Sequence, residues 1–177
     1  SAICAKAGFK PKNVLSTYQK MYEDQVVSYP RTEDKFITPE QFAELLPLAS
    51  QIARVVGVSV SLLAHKEPRK SHVKEGCAHG ANRPGTNVPS SLDELAKYGA
   101  EAPLIYETLA KNYLAMLADD YEYNLVKAHL SDYPEFVSSS QVPTKLGFRS
   151  IFDSEAQSDD DASDDLGNSF GKVAEPF

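Results

Sequence analysis

Residues 11–32 read PKNVLSTYQKMYEDQVVSYPRT, and the stretch changes character once, near residue 24. In the first half Val14, Leu15, Tyr18, Met21 and Tyr22 recur at the period of one helical face, behind an opening Pro11 and Asn13. The second half, 25–32, is rich in β-formers and contains Pro30, which suits an edge strand or a strand end. Upstream, residues 2–7 read as the end of a short helix that Gly8 stops.

Two short helices, a tight turn and a strand predict a winged-helix-like start. Next, Thr38-Pro39-Glu40-Gln41 supplies an N-cap, a proline at the first helical position and a glutamine that completes a capping box. The helix behind it buries Phe42, Leu45, Leu46, Ala49, Ile52 and Ala53, and Pro47 kinks or splits it. From 64 to 89 the periodicity is lost and a long loop is predicted. Ser90 or Ser91 caps a short helix through Lys97, stopped by Gly99. A longer helix follows, with Leu104, Ile105, Thr108, Leu109, Met116 and Leu117 on its apolar side. Residues 121–130 and 141–152 alternate like strands and open a second, β-rich unit. The fold class expected is α+β, mainly α with a small β part. Its boundaries fall at 1–122, 123–152 and an acidic low-complexity tail, 153–177.

The 177 residues are 42% hydrophobic and 24% charged, an ordinary globular balance. The net charge of −7 is confined to the tail, where eight acidic residues face one lysine. The other 152 residues hold 17 basic and 17 acidic side chains, so the folded part does not repel a polyanion. Within it, the 64–89 loop carries Lys66, Arg69, Lys70, Lys74 and Arg83 against Glu67 and Glu75, a net +3 before its histidines. A basic loop of this kind suits phosphate contact with salt-sensitive affinity. Cys4 and Cys77 are too few for a disulfide framework and fit a reducing compartment, the cytoplasm. No apolar run is long enough to span a bilayer, so no membrane partner is expected. The chain opens in a helix-like segment and ends in a solvated stretch, which suggests a piece of a longer polypeptide.

Chemistry concentrates at Ser28-Tyr29-Pro30-Arg31-Thr32. Side chains two apart on a strand share a face, which would align Tyr29 with Arg31. An ordinary phenol titrates near pH ~10. A neighbouring guanidinium favours the phenolate and can clamp a phosphate oxygen. The alternative is a half-buried tyrosine beside a solvated arginine. His65, His72 and His79 recur every seven residues near Cys77, yet none of the tight pairs of a zinc site is present and no metal site is assigned. His129 reads as structural. Asp159 and Asp161 belong to the acidic tail.

Ser28-Tyr29-Pro30-Arg31-Thr32-Glu33-Asp34 resembles the active-site tyrosine motif of type IA DNA topoisomerases. About fifty residues on, Ala78-His79-Gly80-Ala81-Asn82-Arg83-Pro84 is similar to that family's Ala-His-x-Ala-Ile-Arg-Pro segment. The later helix Ile105-Tyr106-Glu107-Thr108-Leu109-Ala110 also matches, so the resemblance runs in order over residues 3–152. Three departures stand out: Glu33-Asp34 replaces the usual Asp-Ser, Asn82 replaces Ile, and Gly85 replaces Thr. They resemble a divergent bacterial branch of the type III kind.

The resemblance implies a helical gate domain followed by the start of a β-rich arch. It makes Tyr29 the nucleophile that forms a 5′-phosphotyrosine link, and Arg31 the residue that holds the scissile phosphate. His79 and Arg83 become DNA contacts, and Lys66, Arg69, Lys70 and Lys74 of the same loop join them. The implied partner is single-stranded DNA. The family's Mg²⁺ belongs to an acidic domain ahead of the tyrosine, and nothing before Tyr29 supplies it. This chain is therefore expected to hold no cofactor and to need that metal-binding domain of the same polypeptide for activity. The competing expectation is a non-catalytic winged-helix DNA-binding module, for which Lys12, Asn13, Gln19 and Lys20 are a thin recognition set. A protein-interaction domain is the third.

Overall fold

The computed structural model describes residues 7–130 and 133–152. Residues 2–6 of the helix expected over 2–7, Cys4 among them, and the 153–177 tail lie outside the described residues. Among the described residues four α-helices, α1 (Pro11–Glu23), α2 (Pro39–Leu45), α3 (Ala49–Val55) and α4 (Ala102–Ala115), precede a two-stranded antiparallel sheet of β1 (Glu122–Leu130) and β2 (Tyr133–Lys145). The fold is α+β and mainly helical. None of the described helices is long and apolar enough to cross a membrane.

The centre is α4. It packs against α1, α3 and the short turns that flank it in sequence. Ile105, Tyr106, Leu109, Ala110, Tyr113 and Leu114 are all buried, so the helix is covered nearly all round and Leu104 and Thr108 sit at its margin. Even Lys111 is buried, with its ammonium 2.8 Å from Glu107 one turn back. Each fully buried aliphatic side chain of this cluster contributes about 1.5–3 kcal/mol over exposure.

The buried side of α1 is rotated from the expected one. Thr17, Tyr18 and Met21 are buried, whereas Leu15 and Tyr22 are 46% and 38% exposed. The reason is a polar contact that hydropathy does not show: Thr17 Oγ1 donates to Glu101 Oε2 at 3.1 Å, both residues buried. Gly99 makes the approach possible, because a Cβ there would overlap Thr17 Oγ1.

The second helical unit forms as its sequence predicts. Thr38 Oγ1 accepts from the Gln41 amide and Gln41 Oε1 accepts from the Thr38 amide, a complete capping box. Pro47 splits the helix: 46–48 tighten into a 3₁₀ turn between α2 and α3. The expected helix ending at Lys97 is instead a 3₁₀ helix, Asp93–Tyr98, with the Glu94 amide donating to Ser91 Oγ.

Two strand assignments change. Over 25–32 no strand forms; one isolated antiparallel bridge joins Val27 to Pro84. The amides that would extend the ladder are used elsewhere, Arg83 N on Ser28 Oγ and Val26 N on the Met21 carbonyl, and Pro30 has no N–H to give. The winged-helix expectation therefore finds no wing among the described residues before 122. The second strand runs over 133–145 rather than 141–152, and 147–151 is a 3₁₀ turn. Gly147, in the left-handed region at φ 52°, turns the chain where a Cβ would overlap the Asp119 and Asp120 carbonyls. Ser138, Ser139 and Ser140 carry little strand preference of their own. They are extended because they face Ala128, Lys127 and Val126 of β1.

Candidate active site

Gln25 follows α1 at φ 59°, an uncommon left-handed conformation for a side-chain-bearing residue, and turns the chain back beside the 83–87 segment. There the two motifs are zipped together. The Gly85 amide donates to the Val26 carbonyl at 2.8 Å, Ser28 N to the Arg83 carbonyl at 3.0 Å, and Asn87 N to the Gln25 carbonyl at 3.1 Å. Ser28 Oγ accepts from the Arg83 amide at 3.0 Å. Gly85, one of the departures from the family pattern, lies so close that a Cβ would overlap the Gln25 carbonyl.

Tyr29 emerges from this seam half-buried between two rings. Tyr22, from the last turn of α1, meets it edge-on at 5.6 Å and 71° between planes. His79 lies on it at 4.9 Å, tilted by 47°. The exposed side of α1, unexplained by core packing, thus has a partner. Arg31 is exposed two residues on, but without a strand the expected alignment with Tyr29 is not imposed by pleating.

The His79 loop is held from beneath. Asp34 Oδ2 accepts from the amides of His79 and Gly80 at 3.0 and 2.9 Å, while its own amide donates to Thr32 Oγ1. The His79 amide above all, then the Gly80 amide and Thr32, hold the Asp34 carboxyl below its ordinary range. Gln41 Nε2 donates to the His79 carbonyl at 3.1 Å. Arg83 is half-buried and its Nη1 reaches the His79 and Ala81 carbonyls, both at 3.3 Å. Burial pulls its guanidinium below the ordinary value, opposed by Glu44 and Tyr18. Asn82, the second departure, accepts from Tyr18 Oη at 3.2 Å. Burial pushes the Tyr18 phenol up to about 12, so it remains a donor at neutral pH.

The other predicted cations are divided. Lys74 lies over the Phe36 ring at 3.8 Å, in a segment paired to Ile37. Arg69 is committed to the fold: its guanidinium reaches Asp120 at 2.8 Å and the Met116 and Ala118 carbonyls at 3.0 and 3.4 Å, closing the C-terminal end of α4. Lys70 is exposed beside it, and exposed Lys66 lines a separate hollow with His65 and Leu117. His72 is half-buried, and burial together with Arg69 lowers its pKa. Arg69, His72 and Arg83 share a cavity of about 690 Å³ with Lys35, Phe148 and Phe152.

So Tyr29, His79 and Arg83 are brought together, with Arg31 close in sequence and Lys66, Arg69 and Lys70 placed elsewhere. Tyr22, Asp34 and Gln41 are members that the sequence reading passed over. Gln41 left a signal as a capping residue, Asp34 as a departure within the tyrosine motif, and Tyr22 only as an apolar position of α1. Among the described residues no group of three or more His, Cys, Asp or Glu side chains could hold a metal ion, and Asp34 is already bound to two amides. The Mg²⁺ that the resemblance implies does not fit these residues.

Comparison with known proteins gives one answer throughout. A family profile described as DNA topoisomerase matches residues 2–172. DNA topoisomerase 3 of Bacillus licheniformis is 27% identical over 171 residues, covering 89% of this chain and 22% of that protein. The same figures for DNA topoisomerase 3 of Bacillus subtilis are 27% over 169 residues, 89% and 22%. For Staphylococcus saprophyticus they are 27% over 150 residues, 81% and 20%. The chain spans about a fifth of the length of these relatives. With its tyrosine and histidine motifs side by side and the profile matched over nearly its whole length, the chain belongs to the type IA DNA topoisomerase family.

Proposed function

We propose that this chain is the tyrosine-bearing part of a longer type IA topoisomerase, and that Tyr29 cleaves one DNA strand by transesterification. As the Tyr29 Oη–phosphorus bond forms, the phenolic proton leaves. The phosphorus–3′-oxygen bond breaks, and the 3′ oxygen takes up a proton. The product is a 5′-phosphotyrosine link and a free 3′-hydroxyl. One phosphodiester is exchanged for another, so the reverse step reseals the strand without ATP after a strand has passed. Arg31 would hold the scissile phosphate, and His79 and Arg83 the backbone beside it. Single-stranded DNA is the substrate, in the bacterial cytoplasm. Residues 1–122 would be the gate and 123–152 the start of the arch. Alone, the chain would bind DNA without relaxing it, the Mg²⁺-binding domain of the same longer polypeptide being needed for cleavage.

The observation that supports this most is the 4.9 Å contact of the Tyr29 and His79 rings, fifty positions apart in sequence. Half-burial beside an exposed Arg31 suits a packing tyrosine equally; the exposed His79 ring of the second motif, laid on Tyr29, is what favours the catalytic reading.

The test uses the longer polypeptide with Mg²⁺ and a 3′-labelled single-stranded oligonucleotide. After a denaturing quench, label should travel with the protein and should be lost with Tyr29→Phe. Salt-sensitive binding with no adduct would instead make this region a DNA-binding module.

A further inference from the structure

We propose that Asp34 and Gln41 are positioning residues, which together hold the backbone of His79 and Gly80 and so fix the His79 imidazole against Tyr29. The inference rests on the reading of Tyr29 as nucleophile. Its basis is the number of backbone groups held in a very short stretch. Two successive amides converge on one carboxylate oxygen, at 3.0 and 2.9 Å, and the carbonyl between them accepts from Gln41 at 3.1 Å. Hydrogen bonds to an ionised acceptor are roughly twice as strong as neutral ones.

Gln41 is itself oriented, because its Oε1 accepts from the Thr38 amide at 3.0 Å and leaves Nε2 aimed at the loop. Gly80 fits between: it is buried, at φ 72°, and a Cβ would overlap the Gln41 amide. The backbone zipper to 26–28 begins only at Arg83. His79 is exposed and precedes it by four residues. Arg83 Nη1 also reaches the His79 carbonyl at 3.3 Å, and the Ala81 amide donates to the Phe36 carbonyl at 2.8 Å. Among the hydrogen bonds of the described residues at 79 and 80, however, only the Asp34 bonds hold the two amides. Asp34 lies five residues after Tyr29, which ties the tyrosine segment and the histidine loop into one unit. Asp34 stands where the family pattern usually has serine, a shorter and uncharged side chain.

Three variants of the longer polypeptide separate the roles. Asp34→Ala removes the acceptor. Asp34→Asn keeps a carbonyl oxygen for both amides. Gln41→Glu keeps the Thr38 cap and loses the donor to His79. Single-turnover adduct formation should slow about tenfold or more in Asp34→Ala and Gln41→Glu, because small misplacements at a reacting centre are costly. Binding of the same oligonucleotide should change by less than about twofold, and Asn should recover most of the rate. In this chain alone, the His79 and Gly80 amides should lose exchange protection in Asp34→Ala while those of α4 keep theirs. Unchanged adduct rates, or amides still protected in Asp34→Ala, would overturn the proposal. Absence of any adduct in the unmutated polypeptide would instead sink the reading of Tyr29, whatever the amides report.

Discussion

Carboxylates in this protein hold backbone and charged partners both within a turn and across the fold. Asp34 binds two amides of the His79 loop, Glu94 takes the Ser90 amide and hydroxyl, and Asp119 pairs with Lys145 at 2.9 Å. Hydrogen bonds hold all three carboxyls below their ordinary values of 3.8 for Asp and 4.5 for Glu. A carboxyl depressed in the folded state contributes stability above its unfolded pKa and loses it as pH falls through the folded one. His72, lowered first by burial and then by Arg69, acts in the same direction below its ordinary 6.5. Thermal unfolding should therefore shift to lower temperature in two stages on acidification, a first decline below about pH 6.5 and a steeper one below about pH 4. A midpoint that rises on acidification would contradict this assignment. The Thr38-Pro39-Glu40-Gln41 cap was readable in sequence because its partners lie within one turn. Asp34 was not, because its partners are backbone amides 45 and 46 residues away, whose direction no residue type encodes.

Among the helices, α4 is covered on more sides than its apolar pattern predicts, while α2 follows its pattern. Periodicity locates a helix by its apolar stripe, and α4 has no polar face left to define one, since Ala102, Tyr106, Ala110 and Lys111 are buried as well. Two of its buried tyrosines bring a cost. Among the described residues the hydroxyls of Tyr106 and Tyr113 find no hydrogen-bond partner, and burial pushes both phenols far above their ordinary value. An unmet buried hydroxyl is destabilising by about 1–3 kcal/mol, while the ring carries the packing. Tyr106→Phe and Tyr113→Phe should each leave the unfolding free energy unchanged or raise it by about 1 kcal/mol, as measured by denaturant titration. A loss greater than about 1 kcal/mol in either would mean that the hydroxyl has a partner in solution. In α1 the pattern misled for a different reason: Leu15 and Tyr22 look like core residues. The helix instead buries Thr17 for its bond to Glu101, and Tyr22 serves the Tyr29 ring.

At the scale of the whole molecule the chain is two unequal parts, a helical body that owns the candidate site and a ribbon that extends from it. The body has one continuous core running from Met21 through Leu45 and Ile52 to Ile105 and Leu114. The ribbon has none. Leu125, Val126, Val137 and Val142 are all about half-exposed or more, and β1 pairs with β2 alone. Its attachment is confined to the base, where Lys145 meets Asp119, the Phe148 amide donates to the Asp119 carbonyl at 2.7 Å, and Arg149 lies over the Tyr121 ring at 3.7 Å. A single two-stranded hairpin is at best marginally stable in water, so the ribbon amides should open without the body unfolding. Hydrogen exchange should be fast across 122–130 and 133–145 and slow across α4, in separate steps. Guanidinium at concentrations below the body's transition should leave α4 protection intact while abolishing that of the ribbon. Protection of the ribbon equal to that of α4 would show the two parts to be one cooperative unit. In that case β1–β2 pairing and the contacts at the ribbon's base would suffice to stabilise it.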